Sequence, residues 1–333
     1  CIFYTFLAMN LSLFQSPGTI VFLDDDPGYL DMLALVLPQD WHIRFFLRPQ
    51  SCIHHLILET NAWENDLANQ QQILTRWREL GTPLIPQILD YWSTTERYAL
   101  SRICVVDYSM PAMNGLQALE RLEDWHGARI LLTGQADEQI AVKAFNYGLI
   151  EQFIPKQTPD ISQRLIEAIQ RLQMMASGRQ PPLWRATLSQ RQYTLLRSPS
   201  ISAELSAFVS KRWIEHVVIG HPFGILGRDA DGNVGWLQLE PASGLDELAE
   251  LAEAEGLSSQ SIDDIQAGRK LVNLELRQSL NRSAAPELST AFSIGIDEPM
   301  LGAVFAVETP AGQAHKISYN QWSAQQAERA VTS

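Results

Sequence analysis

The sequence predicts an α/β fold in which a doubly wound parallel sheet of five strands is followed by a second, α+β domain. Two observations carry this prediction. Over the first half of the chain, short apolar runs alternate with stretches of helical periodicity, as in parallel sheets. A stretch rich in Gly, Pro and Ser, residues 177–183, then separates this half from the rest of a chain of 333 residues, which is long enough for about two domains.

The first predicted domain covers residues 17–176, and each of its short apolar runs is followed by a helical pattern. We expect its strands at residues 19–23, 42–46, 103–106, 128–132 and 152–154. We expect its helices at residues 28–37, 49–58, 116–125, 138–147 and 161–175.

One connection in this domain, residues 59–100, is much longer than a typical loop. Apolar residues recur with helical spacing on both sides of Gly81 and Pro83, which predicts a helical hairpin. We favour a hairpin that packs against the flank of the parallel sheet. A hairpin exposed as a docking surface is the alternative.

The second predicted domain, residues 184–333, mixes helical and strand patterns. Asp-Ala-Asp-Gly between two apolar runs signals a β-hairpin, which resembles the opening of PAS-type sensor domains. Four residues of the same stretch partly mimic a calcium loop: Asp229, Asp231, Asn233 and Glu240. We favour the hairpin, because Val234 stands where the calcium loop needs Gly. We expect strands at 223–227, 233–239, 290–296, 301–307 and 316–319, and helices at 201–213, 245–255 and 262–280.

The N-terminal extension, residues 1–16, is strongly apolar over its first 14 residues. This run is shorter than the ~20 residues that a membrane-spanning helix needs. It lacks a basic segment and a cleavage site, so we do not expect a signal peptide. We expect either that Met9 is the true start or that the chain is trimmed, and we assign the segment no function.

Composition narrows the classes of function. The net charge of -13 argues against a general nucleic-acid binder, because phosphate contacts need a basic face. The three cysteines, Cys1, Cys52 and Cys104, have no metal or redox spacing, so we expect reduced thiols in a cytoplasmic protein. The adjacent pair His54-His55 is expected at a solvent edge, because neighbouring helical residues do not face each other.

Polar residues whose side chains can react or bind ligands follow several of the predicted strands. Asp107 ends the strand at 103–106, and the acidic cluster Asp24-Asp25-Asp26 ends the strand at 19–23. Thr133 and Lys156 follow two later strands. Because ligands of open α/β sheets bind at the carboxyl ends of strands, Asp107 is expected to lie where chemistry takes place.

The segment from Asp107 to Gly115, Asp-Tyr-Ser-Met-Pro-Ala-Met-Asn-Gly, resembles the phosphoacceptor signature of bacterial response-regulator receiver domains. The acidic cluster, Thr133 and Lys156 occur in the order that the family requires. The resemblance covers about the first half of the chain. It implies a flavodoxin-like receiver fold.

The resemblance also implies roles for single residues. Asp107 is the nucleophile and forms an aspartyl phosphate, Lys156 supplies positive charge, and Thr133 offers a hydroxyl to the phosphoryl group. Thr133 and Phe153 match the family's switch residues. Asp26, which precedes Pro27, is expected to cap the next helix instead. The implied cofactor is Mg²⁺, held by Asp24, Asp25, Asp107 and the backbone carbonyl of Ser109.

One position departs from the family pattern. Gln157 follows Lys156, where receivers usually have Pro, and Pro155 stands just before the lysine. We expect this difference to alter the last loop and the signalling surface that it forms. The acidic pair, acceptor, hydroxyl and lysine are intact, so we predict that the receiver can be phosphorylated.

We therefore expect a two-component response regulator that a sensor histidine kinase or phosphotransfer protein phosphorylates on Asp107. Phosphorylation would switch a second domain that binds an unknown protein or small molecule. The alternatives are a receiver-gated enzyme, for which no catalytic set is evident, and a DNA-binding regulator, which the charge disfavours. We expect no membrane partner. A homodimer is one possible oligomeric state.

Overall fold

The computed structural model describes residues 11–134, 138–174, 182–296, 299–308 and 317–330. The chain divides into two compact units. The parallel-sheet unit comprises Pro17–Ala68, Thr95–Pro181 and Trp322–Ser333, and the antiparallel-sheet unit comprises Cys1–Ser16, Asn69–Thr94 and Pro182–Gln321. The predicted linker lies largely outside the described residues, because only residues 182 and 183 of it are described.

The described residues contain 13 strands. They are β1 Phe14–Gln15, β2 Thr19–Leu23, β3 Ile43–Phe46, β4 Ser101–Asp107, β5 Ala128–Thr133, β6 Gln152–Pro155, β7 Glu215–Gly220, β8 Phe223–Arg228, β9 Val234–Pro241, β10 Lys270–Val272, β11 Leu288–Thr290, β12 Phe292–Ile294 and β13 Met300–Val307.

The described residues also contain 13 α-helices. They are α1 Pro27–Val36, α2 Pro49–Leu58, α3 Thr60–Leu80, α4 Leu84–Tyr91, α5 Gly115–Glu120, α6 Glu138–Asn146, α7 Ile161–Met174, α8 Gln190–Leu196, α9 Pro199–Arg212, α10 Leu245–Ala254, α11 Ser259–Gln266, α12 Leu274–Ser279 and α13 Tyr319–Ala330. Among the residues that the structure describes, no helix combines the length and the apolarity that crossing a membrane requires.

The parallel-sheet unit is built on five parallel strands in the order β3-β2-β4-β5-β6, which confirms the predicted doubly wound sheet. Side chains of the central strand β4 alternate between two apolar clusters. Ile103 and Val105 pack with residues of α1 and α7, whereas Cys104 and Val106 pack with residues of α2, α5 and α6. Burial on both faces explains why these strands are continuous apolar runs.

The predicted helix at 116–125 is shorter in the structure, where α5 ends at Glu120. Tight turns follow, in which the backbone N–H of Trp125 donates to the carbonyl of Leu122. The buried guanidinium of Arg129 donates to the carbonyl oxygens of Leu122 and Trp125. These carbonyl groups are thus satisfied without further helical turns.

The long insertion forms the two predicted helices, α3 and α4, and its residues are divided between the two units. Residues 59–68 belong to the parallel-sheet unit, where Trp63 packs in an apolar cluster, and residues 69–94 belong to the antiparallel-sheet unit. The buried apolar residues of the second segment join the core of the antiparallel-sheet unit, and they include Ile73, Leu74, Leu84, Ile85, Ile88 and Leu89. Helical periodicity predicts an apolar face, but it does not say which surface covers that face.

Two hydrogen bonds fix the insertion within the antiparallel-sheet unit. Trp184 donates its indole N–H to Oε1 of Gln70 at 2.9 Å, and the guanidinium of Arg228 donates to the carbonyl oxygen of Trp92 at 2.7 Å. The N-terminal extension also joins this unit, because β1 pairs with β7. Residues 1–10 lie outside the described part of the chain.

The antiparallel-sheet unit contains a six-stranded sheet in the order β1-β7-β8-β9-β13-β12 and a two-stranded sheet of β10 and β11. Strands β8 and β9 form the predicted hairpin. The likeness to a PAS domain depends on this hairpin alone and stays a prediction. Sequence patterns missed β1, β7 and α8.

The predicted helix at 262–280 is wrong. Helix α11 ends at Gln266, strand β10 follows, and α12 begins at Leu274. The break has a local cause, because Gly268 adopts a φ of +66° that favours glycine. Likewise, the predicted strand at 290–296 is divided between β11 and β12. For the predicted strand at 316–319, residue 316 lies outside the described residues and Tyr319 begins α13.

Candidate functional site

The carboxyl ends of three strands bring together the central group of the candidate site. Asp24 follows β2, Asp107 ends β4 and Lys156 follows β6. The ammonium Nζ of Lys156 lies 2.7 Å from Oδ2 of Asp24 and 2.9 Å from Oδ1 of Asp107. One cation thus bridges two carboxylates at the edge of the sheet where open α/β folds bind ligands.

Three carboxylates form a cluster at this edge. Asp24, Asp25 and Asp107 each offer an oxygen within 4.8 Å of the others. Asp24 and Asp107 are only 2% and 4% exposed, whereas Asp25 is exposed to solvent. Such oxygens are the ligands that a hard divalent cation prefers, and Mg²⁺ also keeps waters of its own. The donor set therefore fits Mg²⁺.

Burial perturbs both partners of the Lys156–Asp24 ion pair. Burial raises the pKa of Asp24 above its ordinary value, although hydrogen bonds from Lys156 and from the backbone N–H of Asp26 oppose this effect. Burial alone would lower the pKa of Lys156, but its hydrogen bonds to Asp24 and Asp107 outweigh burial and raise that pKa. Lys156 is therefore a fixed positive charge near neutral pH.

Thr133, the last residue of β5, is 1% exposed. Its hydroxyl oxygen has no hydrogen-bond partner among the described residues. A buried hydroxyl without a partner is costly, so such a group is poised to bond an incoming oxygen. Residues 135–137, which follow shortly after Thr133, lie outside the described part of the chain.

The loop after Asp107 is shaped by its backbone. The N–H of Tyr108 donates to the carbonyl of Leu132, and the N–H of Gly115 donates to the carbonyl of Tyr108, both at 2.9 Å. A Cβ on Gly115 would lie 2.3 Å from the carbonyl oxygen of Asp107, so this position requires glycine. The loop carries Ser109, whose carbonyl stays a predicted ligand.

Asp26 has a role distinct from its two acidic neighbours. Its Oδ1 accepts hydrogen bonds from the backbone N–H groups of Gly28 at 2.9 Å and Tyr29 at 3.2 Å. This capping geometry at the start of α1 matches the expectation from the sequence. Asp24 and Asp25 are thus left to face the site.

The predicted switch aromatic, Phe153, lies on β6 opposite Leu131 of β5. It is half-buried and packs against the apolar cluster on one face of the sheet. Its role in switching stays a prediction. Lys156, which precedes the unusual Gln157, is anchored by its backbone N–H, which donates to the carbonyl of Thr133 at 2.8 Å.

Sequence reasoning missed Tyr29, which lies in the first turn of α1. The centre of its ring is 4.6 Å from Nζ of Lys156. Its hydroxyl is buried without a hydrogen-bond partner among the described residues. Burial raises the pKa of Tyr29, so the phenol stays protonated. No sequence signal marks this residue, because the contact depends on how α1 packs on the sheet.

Other sequence candidates are explained by structure. Cys52 and Cys104 are buried together in the apolar core, where a hydrogen bond with Cys52 and burial raise the pKa of the Cys104 thiol. His55 pairs with Glu59, with Nε2 3.2 Å from Oε1. Of the calcium-like stretch, residues 229–233 form the turn between β8 and β9, whereas Glu240 lies on β9. Among the described residues, only Asp24, Asp25 and Asp107 form a cluster with metal-ligating geometry.

Comparisons with known proteins give a structural match across almost the whole chain. No protein-family model matches the chain, and no curated protein matches it in sequence. The structure of the response regulator LqsR from Legionella pneumophila is similar, with a TM-score of 0.65 and 24% identity, covering 95% of this chain and 97% of that one.

Two further solved structures match about half of the chain. A response regulator receiver domain protein from Clostridium thermocellum has a TM-score of 0.30 and 17% identity, covering 46% of this chain and 93% of that one. An N-terminal receiver domain from a Bacteroides fragilis response regulator has a TM-score of 0.32 and 20% identity, covering 48% and 100%. On the match to the Legionella protein, the chain has the fold of a response regulator.

Proposed function

We propose that this chain is a two-component response regulator whose Asp107 accepts a phosphoryl group from a sensor histidine kinase or phosphotransfer protein. The observation that carries the proposal is the position of Lys156, which bridges Asp107 and Asp24 at 2.9 Å and 2.7 Å at the carboxyl edge of the sheet. A purely structural ion pair would not need a neighbouring buried hydroxyl without a partner, as at Thr133.

Each residue of the site has a task in phosphoryl transfer. A carboxylate oxygen of Asp107 forms the new P–O bond while the P–N bond of a donor phosphohistidine breaks, and the bonding electron pair stays on the imidazole nitrogen. The Lys156 ammonium balances the negative charge of the phosphoryl oxygens. The Thr133 hydroxyl donates a hydrogen bond to one of those oxygens.

Asp24, Asp25, Asp107 and the backbone carbonyl of Ser109 would hold Mg²⁺. When bound, Mg²⁺ neutralises phosphoryl oxygens during transfer. The proposed metal ligands suit this ion, because three clustered carboxylates repel one another and one lysine does not balance them. Asp24 and Asp107 already share Lys156, which leaves exposed Asp25 without that compensation.

Phosphorylation would act as a switch through added charge. A phosphoryl group at Asp107 adds negative charge beside Thr133, and Phe153 three residues before Lys156 would respond by repacking. The output would be binding of a protein or a small molecule by the antiparallel-sheet unit. The acidic chain, with a net charge of -13, supports these partners over nucleic acid. We propose no catalytic activity for this unit.

The test is phosphorylation by a small phosphodonor, such as acetyl phosphate, in the presence of Mg²⁺. Intact mass is measured for wild type, for Asp107→Asn, and for the control Asp231→Asn in the β8–β9 turn. We expect one phosphoryl group on wild type and on the control, and none on Asp107→Asn. Equal adducts on all three proteins, or none on wild type, would refute the proposal.

A further inference from the structure

Tyr29 makes a contact with the site that the proposed phosphotransfer does not use. Its ring centre lies 4.6 Å from Nζ of Lys156, within the range in which an ammonium is attracted to an aromatic face. Lys156 therefore has two carboxylates and one aromatic ring around it. The position of Tyr29 is itself fixed, because its backbone N–H donates to Asp26 at 3.2 Å.

The Tyr29 hydroxyl is the second distinctive feature. It is buried and lacks a hydrogen-bond partner among the described residues, as does the hydroxyl of Thr133. Leaving a buried hydroxyl unpaired destabilises the fold, and a phenylalanine would avoid that cost. A tyrosine at this position is understandable if an oxygen atom arrives at the site in another state of the protein.

We propose that Tyr29 is a positioning residue of the phosphotransfer site. Its ring holds the Lys156 ammonium against Asp24 and Asp107, and its hydroxyl donates to an oxygen of the phosphorylated site. The first part depends only on the geometry of the unphosphorylated protein. The second part rests on the proposed function, because it needs a phosphoryl group on Asp107.

A plain packing role is the competing explanation. Tyr29 also touches the apolar cluster that α1 shares with the sheet, so its ring could serve only to anchor that helix. The two roles separate in variants. Tyr29→Phe keeps the ring and loses the hydroxyl, whereas Tyr29→Leu keeps apolar volume and loses the ring.

The ring is tested without any phosphorylation. The chain has five lysines, so a protein labelled with ¹³C at the lysine ε-carbons gives a spectrum simple enough to assign Lys156 by comparison with Lys156→Arg. An aromatic face shifts nearby protons upfield. We expect upfield ε-protons for Lys156 in wild type and Tyr29→Phe, and a return toward the other lysines in Tyr29→Leu. An unchanged Lys156 signal in Tyr29→Leu overturns the ring contact.

The consequence for the site is tested with acetyl phosphate and Mg²⁺. We expect Tyr29→Leu to be phosphorylated about tenfold more slowly, the effect of losing a partly desolvated cation–π contact. We expect Tyr29→Phe to keep the rate but lose its phosphoryl group about fivefold faster, because one hydrogen bond is gone. The control is Tyr147→Leu, because the Tyr147 side chain, just after α6, is 87% exposed.

The outcomes separate the two proposals. If wild type forms no adduct, the proposed function fails, and the lysine spectrum alone decides whether Tyr29 holds Lys156. If wild type is phosphorylated and Tyr29→Leu reacts at the wild-type rate, Tyr29 has only a packing role. If Tyr29→Phe matches wild type in both rate and lifetime, the hydroxyl has no part in the site. Circular dichroism of each variant establishes that it is folded.

Discussion

Two aspartate-rich stretches, one in each unit, look similar in sequence, but their carboxylates have different hydrogen-bond partners. Asp24-Asp25-Asp26 follows β2 in the parallel-sheet unit, and Asp229-Ala-Asp-Gly-Asn233 joins β8 to β9 in the antiparallel-sheet unit. Both provide several carboxylates at the end of a buried strand. The difference lies in what their oxygens bind.

In the β8–β9 turn, the carboxylates accept hydrogen bonds from the turn and from α13. Asp229 accepts hydrogen bonds through Oδ1 from the backbone N–H groups of Asp231 at 3.0 Å and Asn233 at 2.9 Å. Its Oδ2 accepts from the side-chain amide of Asn233 at 2.9 Å, and Asp231 accepts from the side chain of Asn320 at 2.8 Å. These hydrogen bonds tie Asp229 to the turn and Asp231 to α13.

At the β2 edge, acceptor capacity is still open. Asp24 accepts one backbone hydrogen bond, from Asp26 at 3.1 Å, and shares Lys156 with Asp107. Asp25 is exposed within 4.8 Å of both carboxylates. Clustered carboxylates that accept few backbone hydrogen bonds indicate a binding site. Carboxylates that accept the backbone N–H groups of a turn indicate a structural role.

The largest effect is expected from Lys156→Ala. Removing the ammonium leaves Asp24 and Asp107 uncompensated and takes charge stabilisation away from phosphoryl transfer. We expect phosphorylation by acetyl phosphate to slow by about 100-fold or more. Lys143→Ala on α6 is the control and should react like wild type. A Lys156→Ala protein that is phosphorylated at the wild-type rate would remove the distinction between the two stretches.

Buried titratable groups outside the site should instead affect stability. Burial lowers the pKa of His216 on β7 to about 4, against 6.5 when unfolded, although its Nε2 donates to the carbonyl of Ser12. The neutral form is thus favoured by folding, so this stability is complete above pH 6.5 and is lost as the pH falls toward 4.

The size of this effect can be measured by urea unfolding at pH 7 and pH 5. We expect wild type to lose about 2 kcal/mol through His216 over this interval. His216→Gln keeps a donor for the Ser12 carbonyl but does not titrate, so its loss should be smaller by that amount. Identical pH dependence in the two proteins would contradict the buried neutral histidine.

The two aspartate stretches can be compared directly with Asp229→Ala and Asp25→Ala. We expect Asp229→Ala to lower the free energy of unfolding by about 1 to 2 kcal/mol, because three accepted hydrogen bonds are lost. We expect Asp25→Ala to leave the free energy of unfolding nearly unchanged without Mg²⁺. We expect it to weaken Mg²⁺ binding, which is measured by tryptophan fluorescence. The reverse pattern would mean that the assignments of turn and site are exchanged.

The smallest effect is expected from Thr133→Ala. The substitution removes a buried hydroxyl that has no partner among the described residues, so stability should not fall. Phosphorylation should slow by about fivefold, the cost of one hydrogen bond to a phosphoryl oxygen. Thr133→Ser, which keeps the hydroxyl, should restore the rate. A serine variant as slow as the alanine variant would show that the hydroxyl is not used.

The residues at the carboxyl ends of the strands could be predicted from the sequence, but the surfaces against which the helices pack could not. Asp24, Asp107 and Lys156 meet, because parallel strands bring their carboxyl ends to one edge. The contact of Tyr29 with Lys156 needed the packing of α1 on the sheet. Periodicity predicts the two helices of the insertion, but no sequence signal shows that residues 69–94 join the antiparallel-sheet unit.

The same limit applies to breaks in helical patterns. Apolar spacing from 262 to 280 continues across Gly268, whose left-handed backbone ends the helical region. Cys52 and Cys104 meet although 52 positions separate them along the sequence, because α2 packs over β4. Periodicity reports which side of an element is apolar, whereas these contacts depend on where distant elements come to lie.

The most direct test of the account locates the phosphoryl group chemically. After reaction with acetyl phosphate and Mg²⁺, the protein is digested with trypsin at mildly acidic pH, and the peptide Ile103–Arg121, which contains Asp107, Tyr108 and Ser109, is analysed by mass spectrometry. We expect a phosphoryl group on this peptide that hydroxylamine removes, because Asp107 would carry an acyl phosphate. A modification that resists hydroxylamine, or one on another peptide, would contradict phosphorylation of Asp107.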